Sequence, residues 1–297
     1  MTLRSDDPPA RIPPGRSVLL CADDYAISES VSAGIEDLVA AGKLSATTAL
    51  VTFPEWPVLA QRLAALRGRI AIGLHLNLTV GAPLVPMPKL APSGELPPIL
   101  DLMTRSMRGA VDAGEIEAET FRQLTHFSER VGHAPDFLDG HQHAHALPGL
   151  RAGVLAGLRR FAGDRSILVR YPADTLVRIM KRRVYALKAL KLSWLTTGFG
   201  PAARRAGQLV NDGFSGVSEY DSRQSFAREL EAGFGASGPR HLMMCHPGHT
   251  DGVLAKRDRV TTRREQEFDA LMAASGMAER LWRPDRGQLD IWRAWRA

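Results

Sequence analysis

Carboxylates and imidazoles gather at the ends of four apolar runs: Ser17-Val-Leu-Leu-Cys-Ala-Asp-Asp24, Ile70-Ala-Ile-Gly-Leu-His75, Phe137-Leu-Asp-Gly-His-Gln-His143 and His241-Leu-Met-Met-Cys-His246. These are the side chains that bind divalent metals and carry protons. A continuous apolar run reads as a parallel strand buried on both faces, and α/β folds place their chemistry where such strands end. Four strand tips with metal-type donors imply one converging site in a metal-dependent enzyme.

Asp23 and Asp24 are neighbours, so on a regular strand they would face opposite ways; at a tip, where the chain turns, both can reach the same mouth. The competing reading is an ordinary acidic turn before a helix. His75 taken alone resembles a satisfied core histidine. The third cluster changes this: Asp139, His141, His143 and His145 alternate with Gly140, Gln142 and Ala144. An extended segment would hold one acid and three imidazoles on one side, and imidazoles without partners are expensive to bury. One or more of them should bind metal. Cys21 and Cys245 each sit inside an apolar run and read as buried, reduced strand residues. Cys245 and His246 are adjacent on a strand, hence oppositely directed, so no thiol–imidazole pair is expected.

The elements that must position these groups alternate along the chain. After the first strand, Ser28-Glu-Ser30 caps a helix with apolar residues at Val31, Ile35, Leu38 and Val39, ended by Gly42. Strand 46–53, helix 56–66 and strand 70–76 follow. From Gly81 to Pro98 six prolines forbid a core element and suit a stiff loop, either a lid or substrate wall or an inert excursion. Helix 115–131, strand 137–140, helix 150–161 and strand 167–169, ending on Arg170, complete a βα alternation. It predicts a mostly parallel sheet, closed into a barrel or left open.

With 297 residues, 44% hydrophobic, the chain suits one barrel-sized domain over 17–297 after a flexible Pro-rich segment, 1–16. No signal-peptide core or bilayer-spanning run is evident, so the default compartment is the cytoplasm. Much of the net charge of +6 lies in Arg178 to Lys191, Arg204-Arg205 and Arg263-Arg264. In the first stretch Leu176, Ile179, Met180, Val184, Leu187 and Leu190 recur at helical spacing, which predicts an apolar stripe with the basic residues opposite. That face could be merely solvated, or could meet an anionic lipid surface or phosphorylated partner. Nucleic-acid binding is disfavoured, since no recognised module or interleaved aromatics accompany the charge. Homo-oligomer formation is left open.

The motifs Ala22-Asp-Asp-Tyr-Ala-Ile-Ser28, Gly73-Leu-His-Leu-Asn-Leu-Thr79, Phe137-Leu-Asp-Gly-His-Gln-His-Ala-His145, Asn211-Asp-Gly-Phe-Ser-Gly216 and Met244-Cys-His-Pro-Gly248 resemble, in order, those of YdjC-like carbohydrate deacetylases. That family includes chitooligosaccharide deacetylases and hopanoid-biosynthesis-associated relatives. Tyr25 stands where the family commonly has Phe, a mild departure that leaves the metal donors untouched but could alter the pocket wall. The resemblance implies a distorted TIM-like (β/α) barrel and a single deacetylase domain. It also implies hydrolysis of an N-acetyl group from an amino sugar, as oligosaccharide or glycoconjugate.

Carried over by position, the resemblance puts one divalent metal on Asp24, His75 and His141, with open positions for water and the substrate carbonyl. Donor softness favours Zn²⁺, and the resemblance also admits Mg²⁺. Asp23 is then the general base and His246 the acid that protonates the leaving amine. Asp139 would hold an imidazole tautomer, His143 and His145 would lie behind the donors or touch substrate, and Arg170 would orient Asp23 or the substrate, or form a surface salt bridge. Alternatives are a glycosylated hopanoid-type lipid substrate, another metal hydrolase such as a phosphoesterase or amidohydrolase, and a silent sugar- or lipid-binding protein.

Overall fold

In the computed structural model, which describes residues 8–220, 224–284 and 292, the first apolar run is β1 (Val18–Tyr25), buried along its whole length. The remaining strands are β2 (Ala46–Ala49), β3 (Ala71–Leu76), β4 (Phe137–Gly140), β5 (Leu168–Val169), β6 (Leu209–Val210), β7 (Gly213–Ser215) and β8 (His241–Cys245). Every ladder is parallel, in the order β6-β5-β4-β3-β2-β1-β8-β7. Only Asn211 and Asp212 separate β6 from β7, so the chain itself runs from one edge of the curled sheet to the other. Asn211 ties that seam: its amide accepts from Tyr171 N at 2.7 Å and donates to the carbonyls of Tyr171 and Gly213. The result is a curled, barrel-like α/β fold, as the alternation of elements predicts.

The helices are α1 (Glu29–Ala40), α2 (Trp56–Ala64), α3 (Ile99–Met107), α4 (Ala113–Val131), α5 (Arg151–Ala162), α6 (Leu176–Arg182), α7 (Ala186–Leu195), α8 (Phe199–Arg205), α9 (Phe226–Gly235), α10 (Leu254–Arg257) and α11 (Thr262–Ala273). Local chemistry sets several ends. Ser28 accepts from Val31 N at the start of α1, and Asp112 from Gly114 N and Glu115 N at the start of α4. Gly132 closes α4 in the left-handed conformation that lacks a Cβ penalty.

The inward faces of the strands hold a separate apolar cluster: Leu19, Cys21, Ala46, Ala71, Phe137, Leu168, Phe214, Leu242 and Met244, with Trp282 and Trp292. Side chains on a strand alternate, so each inward apolar residue is followed two positions later by another inward group. Thus Cys21 leads to Asp23, Ala46 to Thr48, Phe137 to Asp139, Leu168 to Arg170 and Met244 to His246. Ala71 leads through Gly73 to His75. One phase of the pleat therefore makes an apolar barrel floor and a polar top. At Gly73 a Cβ would lie 2.7 Å from Thr48 Cγ2 and 2.8 Å from Phe137 Cε1. Gly73→Ala is expected to cost roughly 1–3 kcal/mol by overpacking, read as a lower urea midpoint. An unchanged midpoint would mean that Phe137 can move aside.

Several sequence expectations need correction. Strand 46–53 stops at Ala49, and residues 141–146 are not extended: they form a 3₁₀ turn in which Gln142 (φ 53°) and His143 (φ 60°) are left-handed. Of the segment 1–16 expected to be flexible, 1–7 lie outside the described residues, but Ala10 and Ile12 are buried and Ile12 N donates to Ser275 O at 3.0 Å. The continuous basic helix is broken between α6 and α7, where Arg183 and Tyr185 take positive φ. Its polarity is also reversed: Arg178 and Arg182 turn inward to Asp174 while Leu176, Val177, Met180 and Leu187 are exposed. Lastly, Arg263 and Arg264 do not contribute surface charge, because both are buried in ion pairs.

Candidate metal and catalytic site

Asp23 and Asp24 reach the same mouth because the chain leaves regular strand geometry between them. Asp24 has φ 69°, and the β1–β2 register shifts between Ala22 and Tyr25. Asx residues tolerate the left-handed region better than most, so the turn is inexpensive at this position. Asp24 Oδ1 lies 2.9 Å from His141 Nδ1 and 3.2 Å from His75 Nε2. Donor atoms of these three buried residues lie within 4.8 Å of one another, as a shared cation requires.

Two of the three donors, His75 and Asp24, are held from behind. His75 Nδ1 is 2.6 Å from Asp139 Oδ1, which fixes the ring so that Nε2 faces Asp24. Asp139 pairs in turn with Arg170 at 2.5 Å. Arg170 is wholly buried and forks onto Asp23, with both nitrogen–oxygen distances 2.6 Å, so the surface salt bridge is ruled out. The second oxygen of Asp24 accepts from Arg264 at 2.6 Å, and Arg264 also meets Asp258 at 2.5 Å. His246 Nε2 stands 3.9 Å from Asp23 Oδ2, with the Tyr220 ring edge-on at 5.0 Å. Its backbone N–H donates to Glu267 at 2.5 Å, and Glu267 is tied through Arg263 to Glu229.

The other two histidines part company. His143 borders the pocket with its ring edge-on to Phe214 at 5.6 Å. His145 turns beneath the site: its ring lies against Phe199, and Nε2 donates to the Arg170 carbonyl at 2.8 Å. It holds the backbone that carries the Asp23 partner and lies behind Gly140 of the pocket lining. Burial pushes its pKa down to about 4, so the ring is neutral.

The electrostatics suit a divalent cation. Burial opposes ionisation of Asp23, but the Arg170 guanidinium outweighs it and holds the carboxyl well below the usual range. Asp24 is likewise depressed against its burial, by His141 and Arg264. Burial also opposes charge on His75, yet Asp139 and the neighbouring carboxylates raise its pKa to about 10, so these surroundings favour added positive charge. Four carboxylates, Asp23, Asp24, Asp139 and Asp258, share two guanidiniums, Arg170 and Arg264. With neutral imidazoles the deficit is two charges, which a divalent ion would balance. His141 Nε2 is moreover a buried nitrogen without a hydrogen-bond partner. The donors present therefore fit a metal.

Above the donors lies a pocket of about 460 Å³. Asp23, Asp24, His75, His141 and His246 form its polar side; Ile99, Leu100, Leu192, Val217, Met244 and Val260 form an apolar one. The loop 81–98 does not line it. Glu115 and Glu119 of α4 hold that loop through its backbone N–H groups at Lys89, Leu90, Leu84 and Val85, and the chain reaches the pocket only at Ile99. Sequence reasoning missed Arg264, Asp258, Glu267 and Tyr220. The four-residue spacing of Arg263 and Glu267 on one helix was a legible signal. Nothing local marks Arg264 as the partner of Asp24, 240 positions away.

Cys21 Sγ lies within 4.8 Å of carboxylate oxygens of Asp23 and Asp139. Cys21 and Cys245 are free and buried, and burial raises both pKa values well above the ordinary thiol value.

The family profile described as YdjC-like protein matches residues 17–278. A chitooligosaccharide deacetylase of Klebsiella pneumoniae subsp. pneumoniae is 29% identical over 88% of this chain and 92% of its own length. A chitooligosaccharide deacetylase of Salmonella typhi is 29% identical over 91% and 97% respectively. Among solved structures, a protein of Enterococcus faecalis V583 provisionally named for cellobiose-phosphate cleavage superposes with a TM-score of 0.67. Its sequence is 19% identical, and the match covers 90% of this chain and 94% of that one, a likeness of fold.

Proposed function

The chain belongs to the YdjC-like family, and from that premise we propose that it is a metal-dependent hydrolase removing the N-acetyl group of an amino sugar, with residues 17–297 acting as one catalytic domain. The observation that carries the reading is the meeting of one Asp24 oxygen with two imidazole nitrogens at 2.9 and 3.2 Å, in a pocket shared with Asp23 and His246. The deacetylase names of relatives aligned over nearly the whole chain support the same chemistry.

Asp24, His75 and His141 would hold the cation, Zn²⁺ by donor softness or Mg²⁺ by family resemblance. When bound, such an ion polarises an amide carbonyl and acidifies a water. Asp23 would take a proton from the water whose oxygen bonds to the carbonyl carbon as the carbon–nitrogen bond breaks. Arg170 keeps Asp23 ionised and fixes its direction, while Asp139 fixes His75. His246, 3.9 Å from Asp23, gives a proton to the departing amine, and acetate separates from the free amino sugar. The main-chain bond from His246 N to Glu267 holds the acid over the mouth.

A glycosylated hopanoid-type lipid is the second substrate reading, favoured by the apolar wall from Ile99 to Val260. Acetate release is the test. Acetylated chitooligosaccharides, peptidoglycan fragments, acetylated sugar nucleotides and glycosylated lipids are each incubated with the full chain. Acetate appears with at least one of them, stops after chelation and returns with Zn²⁺ or Mg²⁺. Release of phosphate or an amino acid instead would assign another metal hydrolase. Tight sugar binding without any product would leave a binding protein.

A further inference from the structure

We propose that the α6–α7 excursion is a docking surface for an anionic lipid bilayer, and that it presents the pocket mouth to that bilayer. Among the described residues, ten large hydrophobic side chains are exposed, and five of them fall on these two short helices: Leu176, Val177, Met180, Leu187 and Trp194. Their exposure is high where packing should have hidden it, 76% at Val177, 67% at Leu187 and 72% at Trp194. Soluble surfaces seldom gather apolar groups in this way without a partner.

Helical spacing arranges them. Leu176 and Val177 lie one turn from Met180 on α6, and Leu187 lies two turns from Trp194 on α7. No residue of α7 is fully buried. The exposed cations are interleaved with these side chains: Lys191 lies between Leu187 and Trp194, Lys181 one turn beyond Val177, and Arg183 at the break. Arg178 and Arg182 are paired inward with Asp174, which leaves Lys181, Arg183 and Lys191 to face outward. An apolar face studded with Lys and Arg and carrying an exposed Trp matches an anionic interface, where alkyl and indole groups enter the headgroup region and ammonium groups meet phosphate. That charge complement selects the occupant.

The placement gives the surface a use. Lys188 and Leu192, on the adjoining face of α7, line the pocket, and Leu100, 70% exposed, borders it from α3. Apolar side chains thus occur both on the pocket wall, at Leu192 and Leu100, and on the outer face of α7, at Leu187 and Trp194. An amino sugar carried on a lipid could enter the pocket while its apolar part stays in the bilayer. None of the described helices is long and apolar enough to cross a membrane, so attachment would be peripheral. The docking surface stands independently of the deacetylase reading, on which only this use rests.

The test is cosedimentation of the full chain with vesicles of phosphatidylcholine containing one quarter phosphatidylglycerol, beside vesicles of phosphatidylcholine alone. The unaltered protein partitions onto the anionic vesicles, and high salt weakens the attachment. The variant Leu187→Asp with Trp194→Asp, and the variant Lys181→Glu with Lys191→Glu, each lower the bound fraction by about tenfold while thermal unfolding is unchanged. Acetate release from a short soluble substrate stays as in the unaltered chain, so a failure of the catalytic reading shows separately. Arg130→Glu with Arg159→Glu, placed elsewhere, leaves binding intact. The proposal is overturned if the unaltered chain stays in the supernatant, or if the Arg130 and Arg159 variant loses as much binding as the others. It also fails if the Leu187 and Trp194 variant abolishes a dimer instead, or lowers oligosaccharide affinity without any vesicle binding.

Discussion

Asp23→Asn is expected to retain stoichiometric metal and to lose turnover by on the order of 10²–10⁴-fold. The amide has nearly the carboxylate's shape but cannot accept the proton of a water at neutral pH. Arg170 remains paired with Asp139, so the network keeps its frame. Asp24→Asn should behave differently: its oxygens face His75, His141 and Arg264, and losing that charge weakens metal affinity along with turnover. Metal content by mass spectrometry and kcat for acetate release, measured on both variants, separate base from ligand. If Asp23→Asn lost the metal while Asp24→Asn kept it, the two roles would have to be exchanged.

His75→Ala and His141→Ala should each abolish stoichiometric metal binding and leave a folded protein. On the proposed three-donor site, removal of one leaves two, too few to retain an ion against dialysis. The His75 variant also strips Asp139 of its imidazole partner, although Arg170 still pairs with that carboxylate, so a modest fall in thermal stability accompanies metal loss. For His141 the ring is the outer one, and stability should change less. Equilibrium dialysis with Zn²⁺ and circular dichroism check the pair. Undiminished occupancy in both variants would remove Asp24, His75 and His141 from the role of metal donors.

Much of this site is legible in one dimension because strand tips are legible. The apolar runs before Asp23, His75, Asp139 and His246 identify buried parallel strands, and the period of two aligns each polar group with the inward apolar residue before it. The adjacency of Asp23 and Asp24 already implied a turn in the chain. Where alternation was extended past the strand end it misled: the spacing of His141, His143 and His145 looks like a pleat, yet the backbone enters a left-handed turn at Gln142 and His143 and sends the three rings in different directions. At Gly140 a Cβ would lie 2.8 Å from His145 Nδ1, so the close packing of that ring against the strand end depends on glycine. The basic stretch misled for a related reason. Its periodicity fits an amphipathic helix, but a helix break at Arg183 and the buried Asp174 carboxylate outside the stretch turn Arg178 and Arg182 inward.

By itself, then, the order of residues determined which strands form, that they run parallel, and which polar groups stand at their tips, because those properties depend on local hydrophobic pattern and pleat. Family motifs extended that to a proposed division of roles among Asp23, Asp24, His75, His141 and His246. Tertiary structure alone decided which charges meet. Arg170 reaches Asp23 across 147 positions, and Arg264 reaches Asp24 across 240. A charge can be buried only with a partner, and the partner is chosen by the curvature of the sheet and the packing of α11 against its rim, neither of which leaves a mark on the neighbouring sequence.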